Sequence, residues 1–208
     1  MSIWIPPQDA LSVSLSFPPS LFEMSESIWT ATLAAFRDRV AGLEPAPAGV
    51  SIAAVSATLG LALLIKVLEI ARKRKDFAGD QGHVAAMLDD ARSASQVLSR
   101  LADEDIAAFD QYLDCLRRKQ PTGAAIRKAI EVPLNVARAA SSGMNLCEQA
   151  TGMVHAFVAP DLGTASALLS AAVRSTLRTV EFNIQQLPET DPYRLEVAAE
   201  TRRIAESA

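Results

Sequence analysis

The chain has 208 residues, a net charge of −4, half of its residues apolar and only 5% aromatic. That length gives one large domain or two small ones with a sizeable core, and abundant Ala beside so few aromatic residues suits packed helices rather than a sheet. The charge balance gives no reason to expect nucleic acid or an anionic membrane as partner. Cys115 and Cys147 lie far apart, and with His83 and His155 as the only histidines and no CxxC or HExxH spacing, no metal site is expected.

In chain order, residues 1–24 carry Pro6, Pro7, Pro18 and Pro19 and read as an irregular arm. A single helical domain is expected over 25–208. Its first helix is predicted over 25–40, with Ile28, Leu33, Phe36 and Val40 on one side and Ser25 as a cap. The Gly42 to Pro47 segment breaks it. Residues 51–71 then form a helix that is apolar nearly all round. It is almost long enough to span a bilayer. Its Ala, Ser and Gly content and Lys66 favour a core helix instead, and so apolar a helix in a small chain points to an oligomer interface. The basic run Arg72 to Lys75 suits a helix C-terminus. With no secretory leader pattern and no disulfide framework, the expected compartment is the cytoplasm, with both thiols reduced.

Residues 82–118 are predicted as a long helix, and 124–151 as another with Pro133 in its interior, where a missing N–H kinks the chain. Asp161 is placed to cap a helix over 162–185, whose apolar face carries one polar side chain, Asn183. A final amphipathic helix spans about 192–207. No convincing strand pattern appears. The fold class is all-α, a bundle of about six helices with one strongly apolar central helix, forming a dimer.

Asp105 stands out within the long helix. On a wheel of roughly 100° per residue, Met87, Ala91, Ala94, Leu98, Leu101, Ala108, Phe109, Tyr112 and Leu116 all fall within about 60° of it. Asp103, Asp110 and Asp114 fall on the opposite side, toward solvent. A carboxylate in an apolar stripe costs several kcal/mol unless it is paired, hydrogen-bonded or protonated. Two readings follow. Asp105 pairs with an Arg or Lys from another helix, or burial raises its pKa into the range a general acid or base needs near neutrality.

Several segments in this order resemble the cyclodeaminase/cyclohydrolase family that acts on one-carbon tetrahydrofolates, from about Ile28 to Ile204. They are Asp103 to Asp110, similar to an acidic DxDxxAF stretch; Glu131, Pro133, Leu134, Val136 and Ala137, similar to EVPLxVA; Asp161 and Gly163, similar to an SDxG loop; and Thr179, Val180 and Asn183, similar to NVxxN. The resemblance implies an all-helical dimer with a folate-type molecule in a cleft. It implies Asp105 as the catalytic carboxylate, with no cofactor beyond the tetrahydrofolate substrate.

By the same resemblance Gly49 and Ser51, in the segment similar to a PGGGS turn, are substrate-binding. Arg74 and Lys75 would meet a glutamate tail or else remain an exposed helix end. Asp161 and Asn183 would orient the pterin. Glu131 would either hydrogen-bond in the cleft or face solvent. His155 is a second acid–base candidate or a structural side chain. The chain departs from the family at Ala48 and Val50, where glycines are usual. Val50 resists positive φ, so closer backbone approach by a ligand is expected to be restricted there.

The implied reaction is hydrolysis of 5,10-methenyltetrahydrofolate to 10-formyltetrahydrofolate. The alternatives are formiminotetrahydrofolate cyclodeamination, or ligand or partner binding without catalysis. A chain without a formiminotransferase domain is by analogy closer to the cyclohydrolases.

Overall fold

The computed structural model describes residues 27–77 and 79–207. Among them are six α-helices and no strand: α1 (Leu33–Ala41), α2 (Gly49–Lys73), α3 (Gln81–Arg117), α4 (Gly123–Ala150), α5 (Ala159–Asn183) and α6 (Pro192–Glu206). The arm 1–24 and Ser25 lie outside the described residues.

The predicted first helix is broken in two. Ser27 caps a single 3-10 turn over Ile28–Thr30, and Thr32 caps α1 by accepting from Ala35 N–H. Two side-chain caps so close together each satisfy free helical N–H groups, so the chain starts twice rather than once. No residue of α1 is buried.

α2 is the centre of the bundle. It packs on α3 and α5 and more lightly on α4. Val50, Ala53, Ala54, Ala57, Leu61, Leu64, Val67 and Leu68 are buried along it. Small residues bring the partner close: a Cβ at Gly60 would sit 3.0 Å from the Ala165 carbonyl oxygen, and one at Gly143 of α4 would meet Leu61 and Leu169 at 2.9–3.2 Å. By length and composition alone α2 passes for a membrane span, yet three helices cover it. Its remaining stripe, centred on Leu59 at 51% exposed, is open.

α4 shows how Pro133 is accommodated. Proline has no N–H for the carbonyl four residues back, which is Ala129. Asn183 of α5 supplies the missing donor, its Nδ2 lying 2.8 Å from the Ala129 oxygen. A buried carbonyl left unpaired would cost about 1–3 kcal/mol, so the polar side chain that looked out of place on the apolar face of α5 serves the backbone of α4. α6 is tied on from outside by Arg138, which donates to Glu200 at 2.6 Å, and by Arg127, which pairs with Asp191 at 2.7 Å and stacks over Tyr193.

Candidate active site

Asp105 is 1% exposed. No cation among the described residues pairs with it. Its partner is Ser51, the third residue of α2, which donates twice to the same oxygen: the backbone N–H at 3.0 Å and the hydroxyl at 2.7 Å, both to Oδ2. Ala48, at the cap position of α2, has no side-chain oxygen to offer. Asp105 therefore caps α2 across the interface from α3, and its charge meets the positive end of the helix dipole.

Burial dominates the electrostatics. It pushes the carboxyl up to about 7, against the two Ser51 hydrogen bonds, which pull it down. The other oxygen, Oδ1, has no hydrogen-bond partner among the described residues. The site thus holds a carboxyl near half-ionisation at neutral pH, anchored through Oδ2 and with Oδ1 unpartnered among the described residues. Such a group can give or take a proton.

The segment before α2 corrects the expectation about Ala48 and Val50. No glycine among the described residues has positive φ, and Ala48 sits at φ −130 in extended backbone. Gly49, Val50 and Ser51 are the first turn of a helix, a conformation that any residue adopts. Val50 is 1% exposed and points into the core. The expected steric restriction through positive φ therefore does not arise.

Of the substrate-binding candidates, Gly49 and Ser51 stand beside Asp105, but Ser51 engages the carboxyl itself. Asn183 is wholly buried and committed to Ala129 through Nδ2, so it holds the backbone. Glu131 is exposed on the α6 side, where its charge acts on Tyr193 and Arg138.

The other candidates lie far away. Asp161 is in the first turn of α5, not at its cap, which is Val158, and it pairs with Lys66 at 2.8 Å. Lys66 is fifteen residues beyond Ser51 on α2, about 22 Å at ~1.5 Å rise per residue. Arg74 and Lys75 lie about 35 Å away by the same count. Arg74 pairs with Asp76, and Lys75 is exposed. His155 is exposed in the α4–α5 connection, accepts from Phe157 N–H at 3.1 Å and acts on Asp76. These residues do not share a site with Asp105 within one chain, because the 25 residues of α2 hold its two ends apart.

Two features escaped the sequence. Asp103, read as solvent-facing, accepts from Ser27 Oγ at 2.7 Å and Ile28 N–H at 2.9 Å, and Trp29 Nε1 donates to the Ser99 carbonyl at 2.9 Å. Asp103 thus pins the N-terminal turn to the back of α3. The other is an open groove of about 730 Å³ between α3 and α4, flanked by Arg100, Leu101, Glu104, Asn135, Arg138 and Leu146. It does not reach Asp105, which faces α2.

The model of the formiminotransferase-cyclodeaminase family matches residues 32–203. The chain belongs to this family, that of the folate one-carbon cyclohydrolases and cyclodeaminases. It is similar to a methenyltetrahydrofolate cyclohydrolase of Methylorubrum extorquens, 24% identical over 76% of this chain and 81% of that protein. It is also similar to the formimidoyltransferase-cyclodeaminase of Rattus norvegicus, 26% identical over 79% of this chain but only 32% of that protein. In fold it matches the crystal structure of formiminotetrahydrofolate cyclodeaminase from Thermotoga maritima, with a TM-score of 0.80, 22% identity, and coverage of 86% of this chain and 91% of that one.

The raised carboxyl has a consequence for stability. The folded state holds the Asp105 proton more tightly than the unfolded chain, where Asp titrates near ~3.9. Below that pH both states are protonated and nothing is lost. As pH rises from about 4 through about 7 the unfolded chain ionises first, stability falls, and the full loss, on the order of 4 kcal/mol, persists above. Urea unfolding of Asp105→Asn against wild type should show the variant gaining by about 2–3 kcal/mol between pH ~5 and pH ~8. An unchanged difference would show that burial does not raise this carboxyl.

Proposed function

We propose that the chain is a one-carbon tetrahydrofolate cyclohydrolase that hydrolyses 5,10-methenyltetrahydrofolate to 10-formyltetrahydrofolate, with Asp105 as its acid–base group. The observation that carries this is the buried Asp105 carboxyl with no cation beside it among the described residues, pushed up to about 7 by burial against two Ser51 hydrogen bonds to Oδ2. A carboxyl kept only for structure would be expected to have a cation or a full set of donors.

The methenyl carbon is part of a cationic amidinium between N5 and N10. Asp105 as carboxylate takes a proton from water as the water oxygen bonds to that carbon. It then returns the proton to N5 as the carbon–N5 bond breaks, leaving a formyl group on N10 and releasing one proton overall. The same carboxylate attracts the cationic substrate into a dry site, where charge interactions are stronger than in water. Binding must displace part of the chain covering a residue that is 1% exposed, so ligand-induced opening belongs to the proposal. The chain spans 81% of the cyclohydrolase relative and about a third of the rat cyclodeaminase relative. Cyclodeamination is the second reading, supported by 26% identity to the rat protein. There Asp105 would protonate the departing amine.

Loss of the methenyltetrahydrofolate absorbance band on adding enzyme tests the reading. Asp105→Asn should slow turnover by about 10²–10⁴-fold, the usual contribution of a general acid–base group. Equal rates for the two proteins would remove Asp105 from the chemistry, and decay no faster than in buffer with wild type would exclude the cyclohydrolase.

We also propose that a second copy covers the open stripe of α2, formed by Ile52, Val55, Ser56, Leu59, Ala62, Leu63, Lys66 and Ile70. Ile52 and Ile70, Ser56 and Lys66, and Leu59 and Leu63 are pairwise equidistant from Leu61. An antiparallel copy centred there sets the two members of each of these three pairs opposite one another, as a two-fold axis requires. In that register Arg74 of the partner subunit would lie beside Ala48, and Lys75 of the partner subunit beside Pro47, at the end of α2 that carries Ser51. Sedimentation should give a dimer mass for wild type and a monomer for Leu59→Glu. A monomeric wild type at micromolar concentration contradicts the arrangement.

A further inference from the structure

The helical serines and threonines of this protein have a habit. Thr58, Ser99, Ser142, Thr164 and Thr176 each turn the hydroxyl back to the carbonyl four residues earlier, at 2.8–3.1 Å. This is the ordinary local bond of such residues in a helix. Ser51 is also in a helix, with Pro47 four residues back. Its hydroxyl goes instead to a carboxyl 54 positions away in sequence, and its backbone N–H follows to the same atom.

Two donors on one oxygen make the two ends of a carboxyl unequal. Oδ2 has its lone pairs engaged and its position fixed by a helix N-terminus. Oδ1 has no hydrogen-bond partner among the described residues, so its lone pairs are not engaged by them. In the protonated acid the hydrogen belongs on Oδ1, because Oδ2 must accept from both donors. In the carboxylate, Oδ1 is the oxygen able to take up a proton. Without the hydroxyl, one backbone N–H would remain. The carboxyl would then be free to rotate about its Cβ–Cγ bond, and the two oxygens would compete for the same role.

We propose that Ser51 is a positioning residue, which by taking Oδ2 with both of its donors selects Oδ1 of Asp105 as the oxygen that exchanges a proton with the substrate. This replaces the substrate-binding role that sequence resemblance gave Ser51. It rests on the acid–base role proposed for Asp105. It deepens that role by naming what orients the carboxyl and which oxygen reacts.

The test uses the full chain as wild type, Ser51→Ala, Ser51→Thr and Ser51→Cys. The first readout needs no turnover: the Asp105 side-chain carbon is followed by NMR against pH in ¹³C-aspartate-labelled protein, with Asp105→Asn giving the assignment. Losing the hydroxyl removes a bond to the charged form. In Ser51→Ala the titration should therefore move up by about one pH unit, a tenfold change in proton affinity. Ser51→Thr should restore it, and Ser51→Cys, a weaker donor of similar size, should fall between. The second readout is the methenyltetrahydrofolate rate: kcat should drop about tenfold in Ser51→Ala with KM within twofold, its pH profile shifting in step with the carbon titration.

An unmoved titration in Ser51→Ala overturns the proposal. So does a raised KM with kcat unchanged, which would make Ser51 a substrate contact. If Ser51→Ala does not fold, Ser51→Cys decides by the same two criteria. If wild type shows no turnover, the cyclohydrolase reading fails, and the carbon titration alone decides whether Ser51 orients the carboxyl.

Discussion

The contact between the Asp105 carboxyl and the first turn of α2 is the constraint on which the rest depends. α2 is the helix around which α3, α4 and α5 are packed, and it begins without a capping side chain of its own. Its N-terminus is capped from α3. One contact therefore caps an otherwise open helix end, fixes how α2 and α3 meet, and places an ionisable group in a dry seam. An asparagine or a serine could do the first two at lower electrostatic cost. Keeping a carboxyl there costs stability above neutral pH. That cost makes sense if the proton itself is used.

The same accounting of backbone groups explains the second polar side chain in the core. Pro133 removes a donor from α4 and Asn183 returns one from α5, so the Ala129 carbonyl stays paired where it is buried. Asp105 and Asn183 looked alike in the sequence, each a polar residue in an apolar stripe. They differ in what they leave open. Asn183 is spent on a carbonyl, and its remaining oxygen is sealed without a partner. Asp105 keeps a proton that moves near neutral pH. Chemistry follows the second pattern.

Much of this was legible in the sequence, and the limits are physical. Helical periodicity located α2 to α6 within a few residues and singled out Asp105, because a 3.6-residue repeat reports which face is buried whatever that face packs against. It could not report partners. Ser51 was selected by resemblance, yet its role as donor to Asp105 depends on how α2 and α3 cross. The break at Ala31 and Thr32 was missed because Ile28, Leu33, Phe36 and Val40 still fit one face when the helix is restarted. Asp103 was read as solvated because it sits opposite the stripe, although that side of α3 holds the N-terminal turn. Arg74, Lys75, Asp161 and His155 were grouped with Asp105 by motif alone. The rise of α2 already separates Arg74 and Lys75 from Ser51 by about 35 Å within one chain. Their place in a common site depends on a second copy.

The central claim is that the ligand site lies at the N-terminal end of α2, over Asp105, and not in the open groove between α3 and α4. Amide chemical-shift mapping with a reduced folate that carries a one-carbon group but turns over slowly, such as 5-formyltetrahydrofolate, addresses this directly. The account predicts that the largest shifts fall at Ala48 to Ser51 and around Asp105. Shifts confined to Arg100, Asn135, Asn145 and their neighbours along the groove, or no shifts at millimolar ligand, would contradict it.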